Sequence, residues 1–383
     1  MSIVYLLIEF LDELIYGIGE AAWPLIRNDL HLNYIQIGIA LSLPGFLANF
    51  IEPFLFTLGD TWKRRAVILA GGIFFTISLA FTGISTSFLL LLSSYILFHP
   101  SSGAFVGLSQ ASLMDLQPER REQNMARWTF AGSIGVFVGP ILLSGAAFIG
   151  FGWRGMFIGL ALLSTFILMY AWRRVPRDTD QNVALPRFAD ILNQFRLTFS
   201  ALRNWSIVRW LLLLEFSDLM LDVLYGFLPL YFVDVAGFSP AQAALSVAVW
   251  TGVGLLGDFL LIPLVERFKG LDYLRISVII ELILFPLFLL SSQVWLKLIL
   301  IGFMGFFNSG WYAILKANLF DAMHGQSGAV LTLDNVSGLF GKLIPFGIGL
   351  AAQAFGIGAA MWLLLAGPIA LLIGLPKRLQ VES

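Results

Sequence analysis

The sequence predicts an all-α membrane protein of twelve transmembrane helices in two parallel six-helix repeats, and three observations predict it. Hydrophobic residues make up 58% of the chain and charged residues only 12%, with a mean hydropathy of +0.85. An ordinary soluble domain, with about a quarter of its residues charged, is excluded. The apolar runs last about 20 residues and lack strict alternation, so they read as helices and not as barrel strands. The second half then repeats the first at a shift of 206 residues: EFLD at 9–12 returns as EFSD at 215–218, and the same shift pairs Glu52 with Asp258, Asp60 with Glu266, Gly132 with Gly338 and Gly135 with Gly341. Six spans followed by six more in the same orientation make parallel repeats, an architecture that puts a cavity between the halves at mid-membrane.

The first span, 4–26, is long enough to cross a bilayer yet carries Glu9, Asp12, Glu13 and Glu20. At 3.6 residues per turn, positions 9, 12, 13, 16 and 20 share one side of a helix. An ionised side chain at the bilayer centre costs about 2.5 to 3.5 kcal/mol on insertion scales, so this face must look into protein or water. The acids and the lack of a small-residue cleavage site mark it as a mature span and not a signal peptide. Spans at 34–58, 66–84, 87–114, 126–149 and 153–172 complete an N-terminal bundle, residues 1–172. Residues 173–206 read as a linker, Pro- and Asp-rich at first and then a surface helix with Phe188, Ile191, Leu192, Phe195 and Phe199 on one side. Spans at 207–232, 240–265, 273–291, 293–320, 327–354 and 357–375 form the C-terminal bundle, residues 207–383.

Of the 23 Lys and Arg residues, eighteen fall in loops and tails on the linker side, whereas Arg27, Arg154 and Lys297 fall on the opposite side. The positive-inside rule then predicts a multi-pass plasma- or inner-membrane protein with both termini and the linker in the cytoplasm. The remaining two, Lys316 and Lys342, sit inside spans 10 and 11.

Span 7 repeats the acidic face of span 1 as Glu215, Asp218 and Asp222. Carboxylates in a poorly solvated site can load and release protons near neutral pH, the chemistry a proton-coupled carrier needs. Asp12 and Asp218 are repeat-equivalent and lie at mid-span, which makes them the first candidates for coupling. Glu9, Glu13, Glu20, Glu215 and Asp222 are expected in the same cavity, with Tyr16 and Tyr225 offering aromatic faces to a cation. Lys316 and Lys342 are expected there too; a static pairing of these lysines with the acids is the other reading of the cluster. Trp23 reads as a membrane-interface anchor, and His99, beside Pro100, as a group that satisfies a kinked backbone. Glu52 and Asp258 read as ties between helices or as parts of a gate.

Several classes are excluded. With no cysteine in the chain there is no disulfide, thiolate metal site or cysteine nucleophile. Gly341-Lys342 is no phosphate loop, because Val336 and Leu343 stand where Gly and Ser or Thr are required. No metal-ligand or nucleophile-base constellation argues for an enzyme, a cofactor or a metal.

Two motifs carry a family resemblance. The loop LGDTWKRR at 58–65 resembles the signature of the major facilitator superfamily of secondary transporters, matching it at Asp60, Arg64 and Arg65 and departing from it at Phe56, Thr61 and Lys63. The repeat copy, LVERFKG at 264–270, supplies Glu266 and Arg267. The resemblance implies that these acids and bases lock and release helix ends during the transport cycle; a plain positive-inside loop is the alternative. GSIGVFVGP at 132–140 resembles the same superfamily's antiporter signature through Gly135, Gly139 and Pro140, residues that in any case let two helices approach closely. Acids and resemblance together predict a proton-coupled antiporter, an exporter of a small organic and cationic solute, working by alternating access as a monomer. Its partners are then the solute, protons and lipid, with no nucleic acid. Uptake or facilitated passage of a solute or inorganic cation, and a non-transporting receptor or assembly protein of the same fold, stay open.

Overall fold

The computed structural model describes residues 2–116, 121–176, 202–322, 338–339 and 341–376, and all regular structure among them is helical. In the first half, α1 (Ser2–Ala21) breaks at Ala22 and leads into a short helix, Trp23–Leu30. Pro24 occupies the first turn of that helix, where no backbone N–H is needed. Then come α2 (Tyr34–Thr61), α3 (Arg64–Ile84), α4 (Phe88–Leu116), α5 (Arg121–Phe148) and α6 (Gly152–Arg174). In the second half α7 covers 205–234 in three segments, Trp205–Asp218, a π-helical turn Leu219–Val223, and Leu224–Asp234. It is followed by α8 (Pro240–Arg267), α9 (Gly270–Leu290), α10 (Val294–Leu319), α11 (Ile344–Phe355) and α12 (Ile357–Gly374). Among the described residues nine helices are long and apolar enough to cross a membrane, and the acid-bearing α1 and α7 are not among the nine. The expected surface helix at 188–199 and the start of the expected span 327–354 lie outside the described residues.

The sequence repeat returns in the backbone. Tyr34–Thr61 and Arg64–Ile84 match Pro240–Arg267 and Gly270–Leu290, bound for bound, at the shift of 206. Helix starts repeat as well. Asn33 accepts from the Gln36 amide at 2.8 Å while its own amide donates to Gln36 Oε1 at 3.0 Å; at the start of α8, Ser239 and Gln242 make the same reciprocal pair at 3.3 and 2.9 Å. Gly150 and Gly356, each just ahead of the last helix of its half, take φ of +75° and +84°, a conformation that glycine adopts without steric penalty.

The halves meet along two repeat-related contacts, α2 against α11 and α5 against α8. Small residues permit the first: a Cβ on Gly38 would stand 2.8 Å from the Pro345 carbonyl oxygen, and Ser42 Oγ accepts from the Phe346 amide at 2.8 Å. On the side opposite the linker the halves are also joined by charge. Arg27 donates to Asp234 through both terminal nitrogens, with Nη2 to Oδ1 at 2.6 Å, and Tyr34 OH donates to the same carboxylate. The Tyr34 amide reaches Gln353 Oε1 at 3.1 Å. On the linker side the described bonds of the basic loop stay within one half, with Arg64 to Asp115 at 2.6 Å and Arg65 to the Trp172 carbonyl at 2.5 Å.

Lys297, assigned from the sequence to the side opposite the linker at the start of span 293–320, is buried in the first turn of α10. Its ammonium donates to Tyr231 OH and to the Phe288 carbonyl, each at 2.7 Å, so the charge is solvated by protein and not by water.

Candidate functional site

A cavity of about 180 Å³ lies between the halves. Its acids are Glu20 on α1 and Glu215, Asp218 and Asp222 on α7; its bases are His99 on α4 and Lys342, just ahead of α11; Tyr16, Trp23 and Tyr95 supply aromatic wall.

The other acids of α1 are turned elsewhere. A 100°-wide helix face meets more than one neighbour, and here α5 takes part of it. A Cβ on Gly132 would stand 2.7 Å from Glu9 Oε1 and 3.1 Å from Glu13 Cγ; one on Gly135 would stand 2.7 Å from both Phe10 O and Leu14 N; one on Gly139, 2.9 Å from Leu14 O and Ile18 N. Pro140 Cδ fills the space beside Gly17 on the same seam. The second half repeats this arrangement, with Glu215, the mate of Glu9, packed on Gly341, where a Cβ would stand 2.9 Å from its Cδ. At Gly135 and Gly139 a Cβ would meet the backbone of α1, whereas at Gly341 it would meet only the flexible end of Glu215. Asp12 accepts from Ser102 Oγ at 2.8 Å, and neither it, Glu9 nor Glu13 lines the cavity.

Irregular backbone marks both sides of the site. α4 passes through a π-helical turn at Gly103–Gly107, after Pro100 and directly after Ser102. α7 does so at Leu219–Val223, beginning next to Asp218 and containing Asp222. Each π turn shifts the hydrogen-bond register and leaves carbonyls to be satisfied otherwise; Asn308 Nδ2 takes that of Met220 at 3.0 Å. Glu52 packs on Gly103, where a Cβ would stand 2.8 Å from its Cδ, and its repeat mate Asp258 accepts from the Gly310 amide at 3.1 Å. Since Gly310 has φ of +75°, the acid on the second helix of each half meets an irregular point in the fourth.

The Tyr16 and Tyr225 rings pack at a tilt of 39° with centroids 5.3 Å apart, and Tyr225 packs on Trp250 at the same distance and a tilt of 37°, so three rings bridge α1, α7 and α8. Tyr225 stands behind Tyr16 and does not line the cavity. Trp23 is no interface anchor: it is buried, lines the cavity, and donates from Nε1 to Glu20 Oε2 at 3.1 Å. His99 likewise presents its ring to the cavity wall. Lys316 is buried on α10 with its ammonium 5.4 Å from the Tyr312 ring centroid, away from the cavity wall. The side chains of Asp60, Glu266 and Arg267 lie outside the described set.

Sequence reasoning missed Glu281 on α9. It is fully buried, and neither carboxylate oxygen has a hydrogen-bond partner among the described residues. The signal was present, because the repeat mate of this acid is the buried Phe75.

The fold is matched by known proteins. The family model described as Major Facilitator Superfamily matches residues 5–344. The chain is 21% identical to the quinolone resistance protein NorA of Staphylococcus aureus (strain COL) over 98% of this chain and 96% of that one. It is 25% identical to the multidrug resistance protein MdtL of Salmonella heidelberg (strain SL476) over 67% and 65%. Among solved structures, the nucleoside transporter NupG superposes with a TM-score of 0.76 at 13% identity, covering 98% of both chains. A bacterial homologue of the human lysosomal transporter Spinster, inward-facing and unoccupied, superposes with a TM-score of 0.72 at 18% identity, covering 98% of this chain and 93% of that one. A non-enzymatic multi-pass membrane carrier of small molecules is what these findings have in common, and the chain belongs to the Major Facilitator Superfamily.

Proposed function

We propose that the protein is a proton-coupled antiporter that exports a small organic solute bearing a cationic group, by alternating access of the cavity between its halves. One observation carries the reading: Glu20, Glu215, Asp218 and Asp222 from both halves face one small cavity whose charged bases are outnumbered. So many carboxylates in a low-dielectric space cannot all be ionised, so a cation and protons compete for them. The names of NorA and MdtL support an export direction. The aromatic wall of Tyr16, Trp23 and Tyr95 suits the apolar body of such a solute.

The division into bundles 1–172 and 207–383 with a linker between them belongs to the same proposal, as do cytoplasmic termini, which the Lys and Arg asymmetry supports. Within it the far-side clamp of Arg27, Asp234 and Tyr34 is broken and remade in each cycle, and Asp60, Arg64, Arg65, Glu266 and Arg267 act as the linker-side gate. In this reading Asp218, Asp222 and Glu20 are the coupling acids, whereas Asp12 acts at one remove through Ser102 and α4.

Reconstituted protein tests the reading directly. Proteoliposomes with an imposed pH gradient are expected to accumulate a fluorescent organic cation such as ethidium, and Asp222→Asn to abolish that accumulation. Equal uptake with and without the gradient contradicts proton coupling.

A further inference from the structure

Lys342 stands in the wall of the acidic cavity. We propose that it is a tethered cation that holds the substrate's charge site in the empty carrier, so that a transported solute must bring its own positive centre, an amine or quaternary onium, to displace it. This rests on the antiport reading above and narrows its substrate class.

Four observations converge. Lys342 lies in the two-residue turn between Gly341 and the start of α11 at Ile344, its amide held by the Gly338 carbonyl at 2.9 Å, so its backbone is anchored and the charge is carried on a long flexible stem. Its stem crosses to the other half: a Cβ on Gly45 of α2 would stand 3.2 Å from Lys342 Cδ and 3.6 Å from Cε, and glycine leaves room for it. The charged and titratable groups that act on the ammonium come from both halves, Asp222, Asp218 and Glu215 on α7, Glu52 on α2, Glu20 on α1 and His99 on α4. Among the described residues Lys342 makes no ion pair within 4.0 Å. One ammonium shared loosely by five carboxylates, beside open volume, is the arrangement of an exchangeable counter-ion.

The consequence is mechanistic. When a solute cation enters, the α7 acids take it and the lysine is released from them. When the solute leaves, lysine and protons together neutralise the acids, and the empty carrier returns without uncompensated buried charge. Because the stem lies on Gly45, beside the Ser42 to Phe346 bond that joins α2 to α11, displacement of the lysine is transmitted to a contact that must part when the halves rock.

Binding of tetraphenylphosphonium and of uncharged triphenylphosphine oxide, measured by titration calorimetry at pH 8, tests the proposal on wild type, Lys342→Met, Lys342→Gln and Lys342→Arg, each first shown to be monodisperse and folded. Met keeps the apolar stem on Gly45, and Gln provides a second neutral variant should Met misfold. Loss of the tethered charge is expected to tighten phosphonium binding by about tenfold or more, to leave the oxide unchanged, and to make phosphonium affinity fall more steeply as pH is lowered; Lys342→Arg stays near wild type. Unchanged phosphonium affinity in both neutral variants, or an equal gain for the neutral oxide, overturns the role of Lys342 while leaving the antiport reading in place. Binding of the oxide but not of phosphonium by all four proteins overturns the cationic substrate class itself.

Discussion

Replacing Asp234 by Asn removes the charge from the carboxylate that joins the two halves on the far side. In the structure this group accepts two donations from Arg27 and one from Tyr34, with side-chain exposures of 15% for Arg27 and 27% for Asp234. A charge-assisted hydrogen bond is worth about 1.5 to 3 kcal/mol when well shielded, and partial exposure lowers the net value to about 1 to 2 kcal/mol. Such a loss shifts the balance between far-side-closed and far-side-open forms by roughly 5- to 30-fold. The absence of cysteine makes the assay clean. Spin labels at Thr86 and Ser292, repeat-equivalent exposed positions in the far-side loops, report the gap by pulsed electron resonance. Asp234→Asn and Arg27→Gln should each move population toward the longer distance, and the double variant should move it no further than the larger single effect. Tyr34→Phe, which removes one donor, should give a smaller shift. Distance distributions unchanged in both charge variants would show that the clamp does not hold the halves together.

Other consequences follow from the packing. Gly135→Ala drives a methyl group into the backbone of α1 at Phe10 and Leu14 and should cost about 1 to 3 kcal/mol of unfolding free energy. Gly341→Ala meets only the mobile end of Glu215 and should instead weaken cation binding with little change in stability; equal unfolding midpoints for the two variants would contradict the seam. Glu281→Leu, which removes a buried carboxyl that has no hydrogen-bond partner among the described residues, should stabilise the purified protein by about 1 to 3 kcal/mol, and a lower unfolding midpoint would mean that the acid has a partner. Arg64→Gln breaks the bond to Asp115 and should slow turnover while leaving equilibrium cation affinity within about threefold; a large loss of affinity would assign Arg64 to the binding site.

Much of the architecture was legible because it is written twice. A register of 206 residues links helix bounds, the Asn33 and Ser239 caps, and the Gly150 and Gly356 turns, each of which repeats only if the two halves fold alike. The site was legible in composition and less so in direction. Periodicity puts Glu9, Asp12, Glu13, Tyr16 and Glu20 on one side of α1, but that side faces α5 and α4 as well as the cavity, and only Tyr16 and Glu20 line the latter. Trp23 was misread for a related reason. A tryptophan near the end of an apolar run suits an interface, yet α1 breaks at Ala22 and the chain continues as a second helix, which keeps the indole inside. The π turn in α7 left no signal at all, since no proline or glycine occurs between Leu219 and Val223.

The central claim is that the cavity acids exchange protons for a solute cation. Addition of tetraphenylphosphonium to wild-type protein in weakly buffered detergent solution, with a pH indicator dye, measures it most directly. Competition requires that binding expel protons and that affinity rise as pH rises through the range in which the cluster titrates. The account predicts a stoichiometric release from wild type that is reduced in Asp222→Asn and in Glu20→Gln. Tight binding of the cation with no proton released at any pH between about 5 and 9, a range that spans ordinary and raised carboxyl titration, would contradict it.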